Sequence, residues 1–137
     1  MPASDSCEPQ VINALAKAGW HLLKRHYAIR LGGASRGIVF ADLLIEKNNQ
    51  LVIVVEIKCF ADVHILMDDL YHAIGQYIIY QNALALKPSS EPVVLALPEN
   101  AYHQLMASSA IQNTFQNAKI KVVIIDLIRE EVVQWIS

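Results

Sequence analysis

Apolar residues near the start of the chain recur at helical spacing. They predict a first helix that begins at Glu8 or the residue before it, carries Pro9 in its first turn and ends at Gly19. The positions on its apolar face are Val11, Ile12, Leu15 and Ala18. Short apolar runs follow over residues 20–23 and 27–31, and at least the second is predicted to be a strand. A flexible loop is expected over residues 32–37.

Two β-rich runs, residues 38–47 and 51–60, are joined by Asn48, Asn49 and Gln50. Asparagine tolerates positive φ, so this junction predicts a hairpin turn. With a three-residue loop, Asp42 lies opposite Glu56 on the same face of the sheet. A two-residue loop would place them on opposite faces, so the hairpin register determines whether the two carboxylates can meet.

The pattern becomes helical over residues 63–86, where an apolar stripe includes Leu66, Leu70, Ile74, either Tyr77 or Ile78, and either Leu84 or Ala85. The polar side of this helix is predicted to carry Asp69, His72, Gln76 and Tyr80. Later elements are a strand over 92–97, a helix from Pro98–Glu99 to Met106, a strand over 121–126 and an edge strand over 132–136. The order predicts one α/β domain spanning residues 1–137, with a mixed β-sheet flanked by helices.

Composition is consistent with a folded cytoplasmic protein. The chain has 137 residues, of which 54% are hydrophobic, and no apolar stretch of about 20 residues that could cross a membrane. The N-terminal residues do not resemble a signal peptide. Cys7 and Cys59 lack metal-ligand spacing, and they are expected to be free thiols in a reducing cytoplasm.

The formal net charge of −2 argues against binding nucleic acid by charge alone. Seven of the eleven Lys and Arg residues nevertheless lie in residues 1–60. Among them, Arg36 and Lys47 are candidate DNA contacts. The alternative is that these are scattered solubilising charges.

The segment Val54-Val55-Glu56-Ile57-Lys58 places a carboxylate and an ammonium on one side of an apolar strand. A buried strand end tolerates such charges when they are paired or bind a metal. Asp42, Glu56 and the Ile57 carbonyl could supply oxygen ligands to Mg²⁺ or Mn²⁺, and Lys58 could assist an attacking water. The alternative is a solvated charge pair on an edge strand.

Gln76 and Tyr80 lie one helical turn apart and can face the same object. The glutamine could bind a phosphate or a water, and the tyrosine could contact a sugar-phosphate backbone. The structural alternatives are a helix-surface pair, or a buried tyrosine whose hydroxyl is satisfied by its neighbour. The five histidines show no spacing typical of zinc enzymes, although His72 could lie near the site.

These residues resemble the motifs of the PD-(D/E)XK nuclease superfamily, which has a restriction-endonuclease-like fold. Asp42 matches its first acid, Glu56-Ile57-Lys58 its acid-x-Lys element, and Gln76-x-x-x-Tyr80 the helix motif of its RecB-like members. Ala41 stands where the superfamily pattern has proline. Glu8 stands in a first helix that lacks the His-Asp pair expected there, so its contribution to the site is left open.

The whole chain also resembles the XisH family, the fdxN element excision controlling factors of cyanobacteria. The segments that carry the resemblance are residues 1–3, 14–20, 55–60, 73–80, 95–99 and 135–136. It implies a role in programmed excision of a DNA element during development, together with a XisI partner and a separate site-specific recombinase. Two hypotheses follow: a Mg²⁺-dependent endonuclease, or a non-catalytic regulator that directs the recombinase. A homodimer is expected by analogy with nucleases that cut two strands.

Overall fold

A six-stranded sheet forms the centre of the protein. The structure is a computed structural model that describes residues 6–32, 37–60, 67–88 and 90–137. The strands are β1 (His21–Arg30), β2 (Ile38–Lys47), β3 (Leu51–Ile57), β4 (Val93–Pro98), β5 (Val122–Asp126) and β6 (Glu131–Ile136). The helices are α1 (Glu8–Lys17), α2 (Met67–Leu84), α3 (Glu99–Met106) and α4 (Ser109–Asn117).

The strands follow one another across the sheet in the order of the sequence. β3, β4 and β5 are parallel, whereas β1 to β3 and the pair β5–β6 are antiparallel. The parallel strands are joined through helices, which places α2 after β3 and both α3 and α4 after β4. The mixed α/β sheet flanked by helices that the sequence predicts is therefore confirmed.

Each face of the sheet has its own hydrophobic core. On one face, strand residues such as Val54 and Leu95 pack with Tyr77 of α2, Leu105 of α3 and Phe115 of α4. On the other face, α1 packs against strand residues that lie at alternate positions, and these include Val55, Ile57 and Val94. The continuous burial of β3 and β4 reflects helices on both faces, which is typical of parallel strands.

The hairpin between β2 and β3 has the predicted three-residue loop. Leu43 pairs with Val55 and Lys47 with Leu51, so Asp42 and Glu56 each directly follow the last pair of the hairpin. Asn48 and Asn49 both adopt a φ of 56°, the left-handed conformation that asparagine tolerates better than most residues. The turn chemistry thus determines the register, as predicted.

The predicted and observed elements differ in two places. The two short runs after the first helix form one ten-residue strand, β1, because eight of its residues pair with β2 despite the polar residues in the middle. A further helix, α4, was not predicted. Ser108 caps it by accepting a hydrogen bond from the Ile111 N–H at 3.3 Å.

The expectation of two free thiols is wrong. Cys7, at the start of α1, forms a disulfide with Cys59, whose Cα lies 5.8 Å away although the two are 52 residues apart in the sequence. Both are buried in the core on the α1 side. Only the packing of α1 over the end of β3 brings them together, so spacing along the chain carried no sign of it.

In the described part of the chain, no helix has the combination of length and apolar composition required to cross a membrane.

Candidate active site

Asp42 and Glu56 meet where β2 and β3 cease to pair. The last paired residues at this end of the hairpin are Leu43 and Val55. One step further, the Ile57 N–H donates a hydrogen bond of 2.7 Å to Asp42 Oδ2. The Asp42 carboxylate thus binds the backbone of β3 beyond the last paired residues, and this contact holds Asp42 beside Glu56.

The regular alternation of side chains between the two faces of the sheet is also interrupted at Asp42. Ala41 packs in the core on the α2 side, whereas Leu43, two residues later, packs on the α1 side. On the neighbouring strand, Arg25 pairs with Leu43 and Tyr27 with Ala41, and His26 between them has a φ of 54°. A regular strand would keep residues 41 and 43 on one face, so the irregularity lies at Asp42 itself.

Glu56 is 4% exposed and lies beside a second carboxylate. Burial, followed by the negative charge of Asp42, raises the pKa of Glu56 from 4.5 to about 8, although Lys58 acts in the opposite direction. A carboxylate held in such surroundings is unfavourable without additional positive charge. A bound cation would supply that charge.

Lys58 extends the site toward solvent. Its Nζ lies 3.8 Å from Glu56 Oε2, and 19% of its side chain is exposed. The distance permits attraction but exceeds a normal hydrogen bond. The ammonium is therefore close to the carboxylates and still accessible to a substrate.

Tyr80 and Gln76 approach the same carboxylates from α2. The Tyr80 hydroxyl donates to the Phe40 carbonyl at 3.3 Å, and Gln76 Nε2 lies 3.4 Å from the hydroxyl oxygen. Burial raises the pKa of Tyr80, and the charges of Glu56 and Asp42 raise it further, which places all these groups in one site. Tyr80 was predicted on the polar side of this helix, but it is buried, with 4% of its surface exposed.

Two buried oxygen atoms in this region suit a cation. Glu56 Oε1 and Gln76 Oε1 are buried without a hydrogen-bond partner among the described residues. Buried oxygens normally have partners, so such atoms indicate a missing group. Residues 6–32, 37–60, 67–88 and 90–137 contain no cluster of three or more His, Cys, Asp or Glu side chains able to hold a metal. Two carboxylates nevertheless fit Mg²⁺, which keeps much of its water.

The remaining predicted site residues lie in different surroundings. Ile57 ends β3, with its side chain buried and its N–H bound by Asp42. Lys47 pairs with Leu51 at the other end of β3, about 17 Å along the strand from Glu56. Its Nζ lies 5.7 Å from the centre of the Trp20 ring. His72 is exposed on α2, and Arg36 lies outside the described residues.

Glu8, whose role the sequence left open, is a buried carboxylate with its own cation. It is 2% exposed, and Oε1 accepts a hydrogen bond from Arg25 Nε at 3.1 Å, with Arg25 Nη2 at 3.0 Å. Arg25 was not singled out in the sequence as its partner, because the contact joins a helix to an edge strand.

The family described as XisH protein matches residues 1–133 of the chain. The chain belongs to the XisH family. A comparison with curated proteins gives no match.

Two solved structures are similar along nearly the whole chain. One is an XisH family protein from Nostoc punctiforme, with 26% identity, a TM-score of 0.82 and coverage of 96% of this chain and 100% of that one. The other is an fdxN element excision controlling factor protein from Anabaena variabilis. It has 26% identity, a TM-score of 0.85 and coverage of 98% and 100%. The XisH family fold thus extends over all the elements that form the site.

Proposed function

We propose that this XisH family protein is a Mg²⁺-dependent DNA-processing protein of the PD-(D/E)XK type, with a restriction-endonuclease-like fold, that acts in excision of a DNA element. The observation that carries the proposal is the buried Glu56, with the half-buried Asp42 beside it and Lys58 Nζ 3.8 Å from its carboxylate. The name of the Anabaena variabilis relative supports the excision role.

The residues fit hydrolysis of a phosphodiester. A divalent cation bound by Asp42 and Glu56, with the Ile57 carbonyl, would supply positive charge to the reacting phosphate. Lys58 holds the attacking water and balances the negative charge that develops on phosphate oxygens. Gln76 orients the phosphate through its amide.

In this reaction a water oxygen forms a bond to phosphorus as the bond from phosphorus to the leaving oxygen breaks. The attacking water loses one proton, and the departing oxygen gains one from solvent. Mn²⁺ would replace Mg²⁺ because it also prefers oxygen ligands.

A second function is a regulator that keeps the site but does not cut DNA. The words "controlling factor" in the relative's name favour it, as does the net charge of −2. Such a protein would bind DNA and a XisI-like partner and direct a site-specific recombinase. Arg36, Lys47 and Tyr80 are then proposed DNA contacts, although Tyr80 would need to become accessible.

Metal binding and cleavage separate these functions. Mg²⁺ and Mn²⁺ are titrated calorimetrically into the wild type, Glu56→Gln and Lys58→Met, and each protein is then incubated with supercoiled plasmid. We expect Glu56→Gln to lose metal binding and nicking. Lys58→Met should keep metal binding but nick at least about 100-fold more slowly.

The Lys87–Glu91 pair provides matched controls. Its Nζ–Oε1 distance is 3.1 Å, and it consists of the same two residue types. Lys87→Met and Glu91→Gln should leave metal binding and nicking unchanged. Unaltered metal binding in Glu56→Gln would refute the metal site. Metal binding by the wild type without nicking would favour the regulator.

A further inference from the structure

The two edges of the sheet are built differently. β1 carries several exposed positively charged or histidine side chains, and its register with β2 shifts between Leu22 and Lys24. These exposed side chains are His21, Lys24, Arg25, His26 and Arg30. Charges and irregular geometry hinder pairing with another strand, so β1 is a protected edge.

β6 has little of this protection. Glu131 is its only charged residue, and it contains no Lys or Pro. Val133 and Trp135 are 46% and 40% exposed. Its register with β5 shifts between Ile124 and Ile125, but in the described part of the chain β5 is its only neighbouring strand. The outer backbone of β6 is available to a further strand.

The residues around the two ends of β6 differ in charge. At the C-terminal end, Ile136 pairs with Val122, which directly follows the exposed Lys121. At the N-terminal end, Glu131 pairs with Asp126 and is preceded by Glu130. An antiparallel two-fold arrangement brings each end of β6 beside the opposite end of the other strand.

We infer that β6 is the interface of a homodimer, in which β6 of a second copy pairs with it antiparallel. Ile136 then faces Glu131 of the second copy, and the acidic end lies near Lys121. Because the two-fold axis repeats the same contact, the acidic end of one β6 lies near Lys121 of the other copy at both ends of the strand pair. A parallel arrangement would place like charges together. The inference does not depend on the metal site.

A cleft beside the same strand enlarges this interface. It has a volume of about 470 Å³ and is lined by residues that include Phe115, Ile120 and Ile136. Ile128, in the turn before β6, is 96% exposed. The antiparallel arrangement brings this turn of the second copy to the cleft. This added contact is needed because a stable interface buries at least roughly 1,000 Å², more than a short strand pair provides.

The test is sedimentation of the full chain across micromolar concentrations, with folding of each variant checked by circular dichroism. We expect a wild-type dimer that Val133→Lys and Ile128→Asp each weaken by at least about tenfold. Lys121→Glu and Glu131→Lys should each weaken the dimer, and the double variant should restore it. The matched control is Ala28→Lys on the exposed β1 edge, which should not alter the dimer.

A wild type that remains monomeric across this range would overturn the inference. A dimer that Ala28→Lys disrupts, but Val133→Lys does not, would overturn it in favour of the β1 edge. Failure of the double charge reversal to restore a dimer that both single changes weaken would refute the antiparallel pairing. Recovery in the double variant would support it, because folding defects are not expected to cancel in this way.

Discussion

The protein contains two buried glutamates that differ in how their charge is balanced. Glu8 is 2% exposed and Glu56 is 4% exposed, and each has one carboxylate oxygen without a partner among the described residues. Arg25 contacts Glu8 through two nitrogens, at 3.1 and 3.0 Å. Glu56 has another carboxylate beside it and an ammonium at 3.8 Å.

The difference separates a carboxylate whose charge is compensated within the fold from one whose charge is not. A buried charge paired with a well-placed cation is compensated within the fold. The charge of two neighbouring carboxylates with a more distant ammonium is not compensated in this way. Burial, followed by the negative charge of Asp42, raises the pKa of Glu56 to about 8. Such uncompensated groups occur preferentially at functional sites. Burial alone would not distinguish these two glutamates; their neighbours do.

The largest expected effect on stability concerns pH and Glu56. Because its pKa rises from 4.5 to about 8 on folding, the folded protein holds one more proton than the unfolded chain between these values. Without metal, stability from this group is present below pH 4.5 and is lost as the pH rises toward 8. The expected slope is about 1 kcal/mol per pH unit.

Glu56→Gln should remove this slope and be more stable than the wild type at pH 8 and above. Urea unfolding in the presence of a chelator, at several pH values, measures both proteins. Glu91→Gln should keep the wild-type slope. An equal slope in Glu56→Gln would show that Glu56 does not carry the extra proton.

A smaller effect is expected when each glutamate loses its cation. Arg25→Met should lower the free energy of unfolding by about 2 kcal/mol, because it leaves the buried Glu8 carboxylate without its cation. The loss is limited because half of the Arg25 side chain is exposed to solvent. Lys58→Met should change stability by less than about 0.5 kcal/mol at neutral pH, because Glu56 is then protonated.

Urea unfolding at neutral pH compares these two variants. The double variant Glu8→Gln/Arg25→Met should lose less stability than the sum of its single changes. Equal losses in Arg25→Met and Lys58→Met would contradict the distinction between the two glutamates.

A smaller loss of stability than that of Arg25→Met is expected for the hydroxyl of Tyr80 beside the carboxylates. Tyr80→Phe removes its hydrogen bond to the Phe40 carbonyl and should cost about 1 kcal/mol. Tyr71→Phe, on the exposed side of the same helix, should cost close to nothing. Thermal unfolding measures both. A loss in Tyr71→Phe as large as that in Tyr80→Phe would show that the buried hydroxyl contributes little.

The local parts of the site followed from the sequence. Asn48 and Asn49 predict the turn, and the three-residue loop that the site hypothesis requires sets a register that ends beside Asp42 and Glu56. The helical spacing of Gln76 and Tyr80 predicts that the two side chains lie together, and Gln76 Nε2 is 3.4 Å from the Tyr80 hydroxyl oxygen. That both face a common ligand stays a prediction.

Other features depended on contacts between distant segments. The Cys7–Cys59 disulfide and the Glu8–Arg25 pair both join α1 to strands elsewhere in the chain. Helix α4 could have been found from Ser108, a good helix cap, followed by Ile111 and Phe115 at helical spacing. Tyr80 was wrongly predicted to lie on the polar side of α2, because helical periodicity does not show which helix residues the end of β2 covers.

The sequence by itself determined the hairpin and the order of most elements, because turn residues and periodicity act over a few neighbouring positions. Only the tertiary structure decided which glutamate is neutralised. The electrostatic environment of a carboxylate depends on burial and on charges brought close by packing. The charge beside Glu8 comes from Arg25 in β1. The charges beside Glu56 come from Asp42 in β2 and from Lys58, which directly follows β3. No local sequence pattern links these residues to the glutamates they contact.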